Sequence, residues 1–224
     1  MQDIEQLVKE NDLLQRKYRS TSIALVSNKS TLVPKPLFDK LKIKTYLDFN
    51  TDLDATYNAG SEQLKNSDTL IVYAIPQLLE KTLNTLFPGA KLLHHSTSLI
   101  DSLTANYKNT NQKSLFVNVH QSAFEIVLLD GKNLVFYNSF NYESSEDFIY
   151  YLLFVCEQLK LNPESVKLIL LGEVEKNSAL YAILYKYVRD LEFAERNDSF
   201  EYAYRFNEIP SHFYYNLINQ YLYL

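Results

Sequence analysis

Apolar residues recur near every third and fourth position over residues 2–17, where Ile4, Leu7, Val8, Leu14 and Tyr18 fall close to one face. That spacing predicts an amphipathic helix. Residues 21–27 (T-S-I-A-L-V-S) then read as a strand. Pro34 and Pro36 interrupt regular structure and start a short helix through Phe38 and Leu41. Residues 45–49 read as a further strand, and the polar stretch 50–67 as holding a hairpin around residues 54–60. Residues 68–74 predict a strong strand. Pro76 opens a helix that runs to about Leu86, where Pro88-Gly89 stops it. A strand over 91–93 and a helix over 97–107 complete the first half.

The run Y-K-N-T-N-Q-K at 107–113 is the most polar and turn-rich of the chain, and it divides the sequence into a first subdomain, 1–110, and a second, 111–224. Strands are predicted at 114–119, 123–129 and 134–140, with Asp130-Gly131 as a tight hairpin between the last two. Ser144 or Ser145 caps a helix whose core face is Ile149, Leu152, Leu153, Cys156 and Leu159. A buried strand at 168–171 ends in Gly172, and Asn177 or Ser178 caps a helix carrying Leu180, Ile183, Leu184 and Tyr187. A short strand at 191–194 and an amphipathic helix at 211–223, with Tyr214, Leu217, Ile218 and Tyr221 on one face, close the chain.

Three strands, a helix, a strand and a helix, in that order, resemble the second half of an actin-like, ribonuclease-H-like ATPase. The fold class expected is therefore α/β, with duplicated units of β-meander and α/β crossover and mixed sheets. The halves echo one another: helix 2–17 and strand 21–26 parallel helix 146–160 and strand 167–171. In the first half the chain begins at the helix, so that unit is read as lacking its opening strands. Its strands 21–26 or 68–74 would then leave an unpaired edge, a template for self-association.

At 224 residues the chain can bury roughly 70–75% of its unfolded surface. Its 46% hydrophobic and 14% aromatic content suits a packed core and argues against long disorder. The net charge is −5 with Lys and Arg scattered, which disfavours nucleic-acid partners, because that affinity comes from clustered cations on phosphates. The single cysteine makes no internal disulfide. Asp3 and Glu5 near the start exclude a signal peptide, and no apolar run approaches the roughly 20 residues of a membrane span. A cytoplasmic protein without membrane insertion is expected.

The candidate chemistry is sparse. The only glycines are Gly60, Gly89, Gly131 and Gly172, and phosphate-cradling loops need glycines within a few residues of one another. His94 and His95 are adjacent, so on a strand they face opposite ways and make a poor metal clamp. His120 ends a strand facing the cleft of an actin-like fold; a polar turn residue is its plainer role, and His212 reads as structural. Cys156 lies on an apolar helix face as a small buried hydrophobe. Glu173 and Glu175 follow a strand end, a position that often carries function in α/β folds, with a solvated loop as the alternative. Asp190, Glu192, Glu195 and Asp198 read as a solvated acidic edge, with metal binding as the weaker alternative.

Several strings are similar to a Bacteroidetes family, domain of unknown function 3822. They are T-L-V-P-K-P-L-F-D (Thr31 to Asp39), Y-N-S-F-N-Y (Tyr137 to Tyr142), E-D-F-I-Y-Y-L-L-F (Glu146 to Phe154), L-L-G-E (Leu170 to Glu173) and Y-K-Y (Tyr185 to Tyr187). The resemblance implies a divergent actin-like ATPase relative, distantly similar to cytoplasmic scaffolds of pilus and type II secretion machines. It also implies an N-terminal segment of strands before the first helix, whereas here Met1 opens that helix directly, as an internal start or truncated gene would. An active member of the fold would grip phosphates with an Asp-Xaa-Gly turn after the first strand of its second half. Here that turn reads Asn118-Val119-His120.

The leading expectation is a non-catalytic pseudo-ATPase acting as a scaffold or adaptor, with a protein partner or a second copy of itself and no cofactor. The alternative is a nucleotide or small-ligand binder with residual phosphotransfer. Its cleft would use Asn118, His120 and Gln121 from one side and Gly172, Glu173 and Ser178 from the other. ATP with magnesium is disfavoured, since phosphoryl transfer needs a carboxylate near the metal and amides on the phosphates. No catalytic or metal-ligating residue is assigned.

Overall fold

The computed structural model describes residues 2–224; Met1, the expected opening of the first helix, lies outside the described residues. The chain forms two compact units, Met1–Ser98 with Gln220–Leu224, and Leu99–Asn219.

In the first unit, α1 (Gln2–Glu10) and α2 (Asp12–Gln15) replace the single expected helix. The break is local: the Asn11 side chain accepts the Leu13 amide and caps a new helix instead of continuing the old one. β1 (Ser22–Leu25) pairs in parallel with β5 (Lys91–His94). A second, antiparallel sheet has the order β2 (Ser30–Pro34), β4 (Thr69–Pro76), β3 (Tyr57–Gln63). Strand 68–74 is therefore central rather than an edge, and the hairpin turn falls at residues 64–68, not within 54–60.

The expected strand at 45–49 is helical instead, as α3 (Ile43–Asp48). Ile43, Tyr46 and Leu47 sit three and four apart, so one face meets the Val33, Val72 and Ala74 core, with Leu47 fully buried. The Tyr46 hydroxyl fixes the preceding turns by accepting the Asp39 amide and donating to the Leu37 carbonyl. Pro76 precedes α4 (Gln77–Leu86) as read from the sequence. The division between the two units falls inside α5 (His95–Tyr107).

The second unit carries a five-stranded mixed sheet of β6 (Lys113–Val119), β7 (Ala123–Asp130), β8 (Asn133–Asn141), β9 (Lys167–Gly172) and β10 (Leu191–Phe193). Their order is β10-β9-β6-β7-β8. β6, β7 and β8 form the antiparallel meander, and β6, β9 and β10 run parallel. Gly131 takes φ +57 in the β7–β8 turn, a conformation that favours glycine. α6 (Ser145–Gln158) starts at a capping box, with Ser144 and Asp147 satisfying each other's backbone amides. Its Phe148, Ile149, Leu152, Val155 and Cys156 pack on one face of the sheet, beside α7 (Ala179–Tyr187).

The terminal helix expected at 211–223 shrinks to α8 (Tyr215–Asn219), because Tyr214 adopts φ +56 and cannot belong to a right-handed helix. Its expected apolar face turns outward at Tyr214 and Leu217, while Tyr215 and Asn219 are buried.

Candidate functional site

Two neighbouring strand ends build the candidate site. β6 delivers Asn118 and Val119 to the turn at His120 and Gln121, and β9, paired beside it, delivers Gly172 opposite Val119. Gly172 takes φ +80, and its amide donates to the His212 carbonyl (3.0 Å) while the Glu173 amide donates to the Val119 carbonyl (2.8 Å). The strand ends are stitched together by backbone, and Asn118, His120, Gly172 and Glu173 are brought into one neighbourhood.

Within it the polar side chains bond to one another. Asn118 Nδ2 donates to Glu125 Oε2 at 2.8 Å, and the Tyr137 hydroxyl donates to Glu125 Oε1 at 2.8 Å. His120 Nε2 lies 3.2 Å from Glu125 Oε2 and 3.1 Å from Asn118 Nδ2. A hydrogen on Nε2 serves the carboxylate, and a lone pair there serves the Asn118 amide; either placement satisfies one of the two contacts. Glu125 is only 2% exposed, so this carboxyl is held by three side chains rather than by water. Tyr142 closes the turn from outside, its hydroxyl donating to the His120 carbonyl at 2.7 Å. Burial, and the nearby Glu173 charge, push that phenol above its usual range.

The remaining candidates have other work. Ser178 is the N-cap of α7: its hydroxyl accepts the Tyr181 amide and donates to the Glu175 carbonyl. Gln121 is exposed at the turn tip. His212 was read as structural, and the structure shows how: its Nε2 bonds the Val174 carbonyl at 2.7 Å, and its ring stacks on Phe193 at 4.2 Å. Burial lowers its pKa against the opposing pull of that hydrogen bond and of Glu175, so Nε2–H of a neutral ring is the donor. His94 and His95 depart from the expected opposite orientation. Their rings lie 4.6 Å apart, because β5 ends at His94 and α5 begins at His95. Their nitrogens meet Ser96 Oγ, the Ser27 carbonyl and the Leu25 carbonyl. Glu192, in the acidic edge, pairs with Lys167 at 2.8 Å.

Glu125, Tyr137 and Tyr142 were missed by the sequence reading. The signal for Glu125 was present, a lone carboxylate inside the otherwise apolar strand A-F-E-I-V-L-L.

With this geometry in view, comparison with solved structures places the fold. A Bacteroides thetaiotaomicron protein of unknown function with an actin-like ATPase fold superposes with a TM-score of 0.79 at 26% identity, over 85% of this chain and 74% of that one. The PilM-PilN type IV pilus biogenesis complex contains a chain matching at a TM-score of 0.60 and 16% identity, over 97% of this chain and 83% of that chain. No curated protein matches the sequence. The fold is thus that of the actin-like ATPases, and the order β10-β9-β6-β7-β8 is the second unit's share of it. Residues 1–191 match the family described as "Protein of unknown function (DUF3822)", and the chain belongs to that family.

Proposed function

We propose that this chain is a non-catalytic actin-like protein, a pseudo-ATPase whose role is to bind other proteins. The observation that carries the reading is the Glu125 carboxylate, buried and bonded to Asn118, His120 and Tyr137 beside the turn that would receive phosphates in an active relative. A phosphate brought there would meet a buried carboxyl group and an amide already committed to it. Gly172 supports the same reading. The space a side chain would need is filled by Val119 and Asn118 of the neighbouring strand, so this glycine serves strand packing rather than ligand approach. Binding to protein draws support from one similar structure, in which PilM is complexed with PilN. Among the described residues no helix is long and apolar enough to cross a membrane. We assign the protein no nucleotide, metal or nucleic-acid partner.

A thermal-shift and calorimetric titration of the full chain with magnesium and adenine or guanine nucleotides tests this. A ligand at a hundred times its dissociation constant would stabilise by roughly 2.7 kcal/mol, a shift such an assay resolves. No shift is expected. Low-micromolar, magnesium-dependent ATP binding that disappears on changing Asn118 or His120 would overturn the proposal.

A further inference from the structure

The outer edge of the second sheet is unusual in what it lacks. β8 is its terminal strand, nine residues long, and N-L-V-F-Y-N-S-F-N contains no charge, proline or glycine. Natural edges are commonly blunted by charge, proline or shortness, since their free amides and carbonyls recruit further strands. The register tells which groups face out. The Tyr142 amide bonds the Ser122 carbonyl, so from Asn141 down to the β-bulge opposite Leu128 and Leu129 the even-numbered residues of β8 bond β7. The backbone groups of Ser139 and Asn141 therefore point away from the sheet. The Ser139 amide is met by the neighbouring Asn138 side chain.

An aromatic row runs from this edge onto the flanking helix. Phe140 of β8 stacks on Tyr151 of α6 at 5.4 Å, Tyr151 meets Tyr150 edge-on at 5.4 Å, and Tyr150 stacks on Phe154 at 6.4 Å. Tyr150 is 63% exposed and Phe154 45%, although both lie on a helix whose other face fills the core. Edge strand and exposed aromatics form one continuous surface.

Its charges are arranged head to tail. Exposed Lys132 precedes β8, and exposed Glu143 and Glu146 follow it. If two copies of β8 pair antiparallel about a twofold axis near Ser139, Tyr137 of one copy lies opposite Asn141 of the other. Outward groups then meet outward groups. Lys132 of each copy reaches the Glu143 and Glu146 end of the other, and the same operation brings the two α6 helices alongside with their aromatic rows in contact. Lys132 before the strand and Glu143 and Glu146 after it favour this antiparallel orientation over a parallel one, which would set like charges together.

We propose that the β8 edge, with the Tyr150 and Phe154 row of α6, is the surface through which two copies of this chain form a symmetric dimer with one continuous ten-stranded sheet. It differs from the sequence expectation, which placed self-association on strand 21–26 or 68–74; of these two, 68–74 is paired on both sides. It stands apart from the nucleotide question: ATP binding would leave it intact, and a monomer would leave the pseudo-ATPase reading intact.

Light scattering and sedimentation velocity on the full chain over a concentration series test the proposal. The expected species at high micromolar concentration has twice the mass of one chain and weakens with added salt. Ser139→Pro removes an amide that β7 does not use, and Phe154→Glu places a charge in the aromatic row. Each is expected to raise the dimer dissociation constant at least about tenfold, or 1.4 kcal/mol, with melting of the dilute protein unchanged. Lys132→Glu and Glu143→Lys each weaken the dimer, and the double reversal restores it. A wild-type monomer throughout the series overturns the proposal. So does a dimer that Phe154→Glu and the single charge reversals leave unchanged.

Discussion

Gly172 and Val119 sit so close that a β-carbon built on Gly172 would lie 2.2 Å from the Val119 carbonyl oxygen. It would also approach Asn118 Oδ1 to 2.8 Å, and the backbone already holds φ +80. Neither contact can be relieved by a side-chain rotation alone, because the nearest atom is backbone. Gly172→Ala is expected to cost at least about 1–3 kcal/mol from conformation alone, with the clash added, and Gly172→Val more. Urea denaturation reads this directly; an unchanged midpoint for the valine variant contradicts it.

Restoring an aspartate at the turn will not restore a phosphate site. Asn118 Nδ2 donates to Glu125 Oε2 at 2.8 Å, so Asn118→Asp sets two carboxylates against each other in a buried position. The variant is expected to lose about 2–4 kcal/mol at neutral pH. Repulsion raises the pair's folded pKa, so the loss should shrink on acidification as one proton is shared. It should gain no nucleotide binding. Melting followed across pH, beside an ATP titration, gives both answers, and a stable variant that binds ATP would refute the account.

Glu62 supplies a pH-dependent test in the first unit. Its Oε1 accepts the His94 amide at 2.9 Å, and its buried Oε2 has no formed hydrogen bond. The Thr97 and Tyr73 hydroxyls lie near enough to oppose the effect of burial, and burial prevails: the carboxyl is raised above its ordinary 4.5. A raised folded pKa contributes stability that is present below the unfolded value and is lost as pH rises through the folded one. Glu62→Gln keeps the acceptor for His94 and removes the charge. It should therefore melt higher than wild type at neutral pH, with the difference vanishing as pH falls toward 4.5. A difference independent of pH would exclude this mechanism.

Cys156 should be inert. It is buried on the core face of α6, and burial pushes its thiol up to about 11, leaving almost no thiolate at neutral pH. A thiol reagent is expected to label it only at the rate of unfolding, and fast labelling of the native protein would show that α6 opens locally.

Sequence alone determined what local chemistry dictates. Asp130-Gly131 set the β7–β8 hairpin, a serine at 144 or 145 set the start of α6, and apolar runs set β6, β7 and β8, each a matter of residues close together in the chain. That local order sufficed to name the fold of the second unit. It did not suffice where the signal was mixed: at residues 43–48, burial of Leu47 beside Val33 and Val72 selected a helix over the strand that Thr45 to Phe49 suggested. Nor did it assemble the site. Glu125 meets Tyr137 only because β7 and β8 pair in one register, and Gly172 meets Val119 only because β9 crosses to lie beside β6. Tertiary structure alone decided that the Asn118 turn is closed on a buried carboxyl, since the antiparallel register that sets Asn118 opposite Glu125 is fixed by the pairing of β6 with β7 and not by the type of either residue.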